Sequence, residues 1–236
     1  MKPGARIITV DGPSGSGKGT VSRSVAHALG WHFLDSGALY RLAALAAERL
    51  RLDPRDAIAH ARAAASMDVK FQAGPDGSER VLLEGDDVTD VLRNETTGNA
   101  ASRVAAIPEV RTALVDRQRR FAQAPGLVAD GRDMGSVIFP EAGLKIFLTA
   151  SPEERARRRY KQLKDKGLDV SLPALSREIA ERDARDTGRA VAPLEAAADA
   201  IQVDSTGLEV GEVVARILRL AHERFGLGRR PREESE

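Results

Sequence analysis

The chain has 236 residues and no cysteine, and its 36 Lys and Arg against 35 Asp and Glu leave a net charge of +1. That length suits one large domain, or one domain carrying insertions, and buries enough surface to do without a disulfide or structural metal. The composition excludes disulfides, thiolate zinc sites and cysteine nucleophiles, the even charge argues against bulk nucleic-acid binding, and no apolar run approaches the ~20 residues of a membrane span.

Residues 1–6 carry no apolar leader-like stretch, and together with the missing thiols this gives the expectation of a cytoplasmic protein. The four histidines, His27, His32, His60 and His222, have no metal-ligand spacing and read as surface or packing residues.

Ile7-Ile8-Thr9-Val10 is a short β-branched run that reads as a buried strand, and Lys18–Leu29 follows with Val21, Val25, Ala28 and Leu29 on one helical face. Between them lies Gly12-Pro13-Ser14-Gly15-Ser16-Gly17-Lys18, a glycine-rich loop in the strand-to-helix context of a P-loop. Glycines let backbone N–H groups turn inward onto a polyphosphate, the helix N-terminus adds a fixed positive end, and Lys18 neutralises β- and γ-phosphate charge. The competing reading, a flexible Gly/Ser turn, does not account for the lysine. Gly19 stands where Ser or Thr commonly supplies a magnesium hydroxyl, with Thr20 one place later, so magnesium held largely through water is the expectation. The only asparagines are Asn94 and Asn99, neither followed by lysine, which argues against a guanine-reading switch.

A second strand over 31–34 leads into Asp35-Ser36-Gly37-Ala38-Leu39-Tyr40-Arg41, where Asp35 or Ser36 either caps the helix over 37–50 or faces a ligand at the strand's carboxyl end. Residues 66–92 read as a small antiparallel insertion: strands at Val69–Phe71 and Arg80–Leu83, a turn at Gly74–Gly77, and another turn at Gly85-Asp86. A helix over 108–123 precedes a third strand at 127–129, which ends in Asp130-Gly131-Arg132-Asp133-Met134-Gly135, a loop with the composition of a site. A fourth strand at 144–148 precedes a helix over 151–166 bearing Arg155, Arg157, Arg158, Arg159 and Lys161. The next helix, 171–187, ends in Glu181–Arg189, with Arg182, Asp186 and Arg189 spaced for one helical face. From that segment alone a solvated ladder of charges is the favoured reading, although arginines there also suit closure over phosphates. A fifth strand at 200–203, a helix at 208–225 and a charged tail at 227–236, expected to be disordered, complete the chain. Strands alternating with helices give an α/β fold, a five-stranded parallel core sheet with helices on both faces.

Six segments carry a family resemblance: 8–20, 34–41, Asn99–Ala105, 129–135, Glu181–Asp186 and Arg189–Leu194. On these the chain resembles bacterial cytidylate kinases, of the nucleoside monophosphate kinase group, over nearly its whole length; Gly19 belongs to that group's pattern. The resemblance implies one kinase domain over 1–226: a core, an acceptor-binding region that includes the insertion, and a helical lid at about 158–171. It implies ATP as donor on residues 12–20 and Arg158, Mg²⁺ as cofactor, and CMP or dCMP as acceptor. Ser102, Arg111 and Asp133 would contact the cytosine, and Ser36, Arg41, Arg132 and Arg189 the acceptor phosphate. Arg182 and Asp186 would lie near the sugar, and Lys18, Arg132, Arg182 and Arg189 would carry catalysis. A monomer binding small-molecule nucleotides is expected. Two rivals remain at this point: a kinase of a small metabolite hydroxyl with Asp35 or Asp133 as base, and a non-catalytic ATP-binding switch.

Overall fold

In a computed structural model, residues 6–73, 79–165 and 167–227 are described. The turn expected at Gly74–Gly77, Lys166 of the lid segment, and residues 228–236 of the tail lie outside them.

Five parallel strands, β1 (Arg6–Asp11), β2 (His32–Asp35), β6 (Gly126–Gly131), β7 (Leu144–Thr149) and β8 (Ile201–Asp204), form a sheet in the order β2-β6-β1-β7-β8. Successive side chains of a strand point to opposite faces, and the two apolar cores follow that period. Ile7, Leu34, Leu127 and Ala129 face one core, built with α2 (Ser36–Arg49), α3 (Ala57–Ser66), α5 (Glu95–Val104) and α6 (Pro108–Arg119). Ile8, Val10, Val128, Ile146, Leu148 and Val203 face the other, against α1 (Lys18–Leu29) and α9 (Val210–Phe225). Strands buried on both faces read as near-continuous apolar runs, which is why β1 and β7 were legible.

The insertion is a three-stranded antiparallel sheet of β3 (Val69–Ala73), β4 (Glu79–Leu83) and β5 (Asp86–Asp87), followed by a single helical turn, α4 (Thr89–Leu92). Asp86, expected in a turn, instead opens β5, because Glu84 at φ 52° and Gly85 at φ 89° together reverse the chain in two residues. Two long helices complete the fold, α7 (Pro152–Lys164) and α8 (Leu172–Thr187). Ser151 caps α7 by accepting from the Glu154 amide at 3.2 Å, and Pro152 sits at its first position.

The helix expected to carry Arg189 stops short of it. α8 ends at Thr187, and Arg189 lies beyond Gly188, yet its guanidinium turns back to pair with Asp186. The solvated ladder is corrected as well, since Asp186 is 1% exposed. Among the described residues no helix is long and apolar enough to cross a membrane, and no three His, Cys, Asp or Glu group as metal ligands.

Candidate active site

The carboxyl ends of β1, β2 and β6 lie side by side, so the loops that leave them converge on one crevice, as the topology of open α/β sheets dictates. The loop after β1 is the glycine-rich segment. Gly12 adopts φ 147°, and a Cβ there would fall 2.0 Å from the Leu148 carbonyl oxygen, so only glycine lets the loop pass over β7. Gly17 begins α1 in the left-handed conformation with no side-chain cap, which leaves the first-turn amides of α1 directed at the crevice. Lys18 is buried, and its Nζ donates to the Pro13 carbonyl at 2.9 Å. Burial, then Arg132 and Arg182, push its pKa down to about 7 against the opposing pull of Asp130 and Asp11.

Residues Ser14–Thr20 line a cleft of ≈ 890 Å³ that Arg41, Arg132, Arg158 and Arg182 also reach. Gly12 and Pro13, expected to touch ATP, are not among the lining residues, and act through the backbone shape of Gly12 and the Pro13 carbonyl that holds Lys18. Arg158 donates to the Ser16 carbonyl at 3.3 Å and to the Ser205 carbonyl at 2.6 Å, joining the loop, α7 and the end of β8. Arg155, four percent exposed, does the same one turn earlier by donating to the Ser14 carbonyl at 3.1 Å while pairing with Asp183 at 2.7 Å.

Asp130, at the end of β6, is the acid best placed for a metal. Its Oδ2 lies 3.3 Å from where a Gly19 Cβ would stand, so the missing side chain at Gly19 leaves a carboxylate at the start of α1. Burial pushes Asp130 up to about 6, with Lys18 opposing and Asp35 adding repulsion. A buried carboxylate in repulsive company suits a hard, oxygen-seeking cation such as Mg²⁺, completed by phosphate oxygens and water.

A second, smaller cavity of ≈ 50 Å³ opens beside the first. It is lined by Ser36 and Tyr40 of α2, Ser102 of α5, Arg111 of α6, Asp133 after β6, Asp186 of α8, and Arg189. Arg111 and Asp133 form a buried ion pair, and the Arg111 guanidinium lies 5.5 Å over the Tyr40 ring. Asp186 is the hub on the other side: Arg132 Nε donates to it at 3.0 Å, Ser102 Oγ at 3.4 Å, and Arg189 pairs with it. Burial would raise the Asp186 carboxyl, but Arg132, Arg189 and Arg182 outweigh burial and hold it below the ordinary range.

Two arginines, Arg132 and Arg182, line both spaces. Arg182 is pushed down to about 9, first by burial and then by Arg132, and the Nε atoms of Arg182 and Arg189 are buried without a hydrogen-bond partner. Clustered guanidiniums held by a single carboxylate, with donors left over, are complementary to a bound dianion. Arg41 meets them from α2: with Arg182 it lies within 3.8 Å of where a Gly98 side chain would begin.

The structure therefore gathers the expected acceptor residues around one cavity, except Arg41, which stands on the wall of the larger cleft. Sequence reasoning passed over Gly98, Tyr40, Asp130 as a separate site residue, and the segment after β8, where Ser205, Leu208, Val210 and Val213 line the far end of the cleft. That last segment leaves the carboxyl end of a core strand, the same signal that singled out Asp35 and Asp130.

Comparison with known proteins fits this arrangement. The sequence model of the family described as cytidylate kinase matches residues 8–223. A cytidylate kinase from Stutzerimonas stutzeri (strain A1501) is 62% identical over 213 residues, covering 90% of this chain and 93% of that protein. One from Aeromonas salmonicida (strain A449) is 55% identical over 222 residues, 94% of this chain and 96% of its own. The crystal structure of an uncharacterised protein from Eubacterium ventriosum superposes with a TM-score of 0.50 at 14% identity, covering 93% of this chain and 99% of that one, a likeness of fold alone.

Proposed function

The chain belongs to the cytidylate kinase family and phosphorylates CMP and dCMP at the expense of ATP, and from that premise we propose how its two cavities divide the reaction. ATP lies in the large cleft with its phosphates on the loop amides and Lys18, covered by Arg158, and CMP fills the small cavity. The observation that carries the assignment is that Arg132 and Arg182 belong to both walls, so the γ-phosphoryl group and the acceptor phosphate meet between them.

The acceptor nucleophile needs no strong base. A phosphate monoester has a second pKa of about 6, so it is largely dianionic at neutral pH. Alignment of two polyanions and neutralisation of their charge are the remaining requirements. Arg41, Arg132, Arg189 and Ser36 hold the acceptor phosphate, Arg182 and Asp186 hold the sugar side, and Lys18, Arg132, Arg182 and Arg189 balance the charge that spreads over the transferred group. Asp130 holds Mg²⁺, which when bound screens the phosphate charge. The segment 158–171 closes as a lid, anchored at Arg158, and keeps water from ATP until the acceptor arrives. All of these residues come from one chain, which fits a monomer, and a cysteine-free nucleotide enzyme fits the cytoplasm.

Cytosine presents a 4-amino donor where uracil presents a carbonyl. The Asp133 carboxylate accepts from that amine, while Arg111 donates to the ring nitrogen and carbonyl. Polar sites of this kind can discriminate by ~10⁴ or more because the wrong ligand leaves buried groups unpaired. ADP release measured across the nucleoside monophosphates should show CMP and dCMP preferred, and Asp133→Ala should lower kcat/KM strongly for CMP and little for UMP. An unchanged ratio in the mutant would remove Asp133 from the base pocket.

A further inference from the structure

One buried acid has no part in this scheme. Asp11 is the last residue of β1, directly before the phosphate loop, and it is 5% exposed. By the alternation of the strand its side chain leaves on the same face as Ile7 and Thr9, the face turned to the acceptor side of the fold. There it meets the start of a single π-helical turn, Met134–Ile138, that follows Asp133. Asp11 Oδ1 accepts from the Met134 amide and Oδ2 from the Gly135 amide, each at 2.8 Å.

The geometry of that turn is unusual in one respect. Asp133 occupies its N-cap position, where an aspartate ordinarily folds its own carboxylate back onto the second or third amide of the turn, here Gly135 or Ser136. Asp133 makes no such bond. Asp11 takes the Met134 amide and the Gly135 amide, the latter one of the two that Asp133 could cap, and the Asp133 carboxylate points instead to Arg111 and the small cavity. The Asp133 carbonyl meanwhile accepts from the Val137 amide at 2.9 Å and the Ile138 amide at 3.2 Å, so its backbone is fixed from both sides. Holding Asp11 there is costly: burial pushes its pKa up to about 7 against the two backbone bonds, and Asp133 and Asp130 add repulsion.

We infer that Asp11 is a positioning residue for acceptor recognition: by capping the Met134 and Gly135 amides from a neighbouring strand, it keeps the Asp133 carboxylate free to read the base. The inference rests on Asp133 being the cytosine reader. In Asp11→Asn the side-chain amide nitrogen faces a backbone N–H, one cap bond is lost, and the Asp133 carboxylate is drawn back toward its own turn, away from Arg111.

The test is the ratio of kcat/KM for CMP to that for UMP in the wild type, Asp11→Asn, Asp133→Ala and the double variant. Asp11→Asn should lower the ratio by about tenfold or more, the range of one charge-assisted hydrogen bond, with KM for ATP within about threefold. In the Asp133→Ala background the same change should leave the ratio where it is. Equal loss for both acceptors, or an undiminished effect on the ratio without Asp133, would overturn the inference. If Asp133→Ala alone leaves the ratio unchanged, the failure belongs to the base reading and not to Asp11. Should Asp11→Asn not fold, the Met134 and Gly135 amide resonances of the wild type provide the measurement. They should shift with CMP and much less with UMP, and indifference to CMP would overturn the inference equally.

Discussion

One wall of the large cleft is the backbone of a single continuous loop whose one charge is Lys18, and the arginines that reach the cleft come from elsewhere in the chain. The small cavity is built from side chains drawn from α2, α5, α6, α8 and two loops, among them the charged Arg111, Arg132, Asp133, Arg182, Asp186 and Arg189. The first arrangement depends on chain shape, which glycines provide locally. The second depends on mutual support, because Asp186 holds Arg132 and Arg189 while Arg111 and Asp133 hold each other. A loop of the first kind accepts any polyphosphate, whereas a network of the second kind can select one base and one phosphate. Substitutions should therefore fail differently on the two sides.

The largest effect is expected at Lys18. Lys18→Ala removes the only charge of the loop and should cost at least ~3 kcal/mol of transition-state stabilisation, a hundredfold or more in turnover, in a folded protein. Activity within about tenfold of the wild type would show that the arginines suffice without it. Asp186→Asn comes next. Removing the charge that three guanidiniums share should cost ~2–5 kcal/mol in kcat/KM for CMP and leave KM for ATP within about threefold. An equal loss for ATP would mean that the two spaces are one site energetically.

A smaller effect separates the two sides by their protons. Free Lys18 titrates near 7, so near pH 8 much of it is neutral, and the ATP phosphates should return it to the charged form. ATP binding near pH 8 is then expected to take up close to one proton, less as the pH falls through 7, and far less in Lys18→Met. Calorimetric titration in buffers of different ionisation enthalpy measures it, and zero uptake by the wild type would show that Lys18 is already charged in the free enzyme.

The same contrast decides what could be read from the sequence. The phosphate loop was legible because strand, glycines, lysine and helix follow one another within a few residues. The parallel sheet was legible because its central strands β1, β6 and β7 are buried on both faces. The acceptor cavity was not, since Ser36, Ser102, Arg111, Asp133 and Asp186 are scattered over 150 positions and only the family resemblance joined them. α5 escaped notice because Thr96, Thr97, Gly98 and Asn99 are poor helix formers, and its buried side holds Thr97, Gly98, Ala101 and Ser102, with Val104 alone as a branched apolar residue. α3 escaped because it buries alanines and His60, which give no contrast to a pattern of large side chains. Arg189 was assigned to a helix by spacing, and Gly188 ends that helix one residue too soon.

The central claim is that donor and acceptor phosphates meet between Arg132 and Arg182, and Arg182 tests it most directly. Its charge is disfavoured in the free fold by burial and by Arg132, and its Nε has no partner there. Single-turnover phosphoryl transfer at saturating ATP and CMP should therefore fall about a hundredfold or more in Arg182→Met, while the thermal unfolding midpoint of the free enzyme stays level or rises. Transfer at the wild-type rate in that variant would contradict the account.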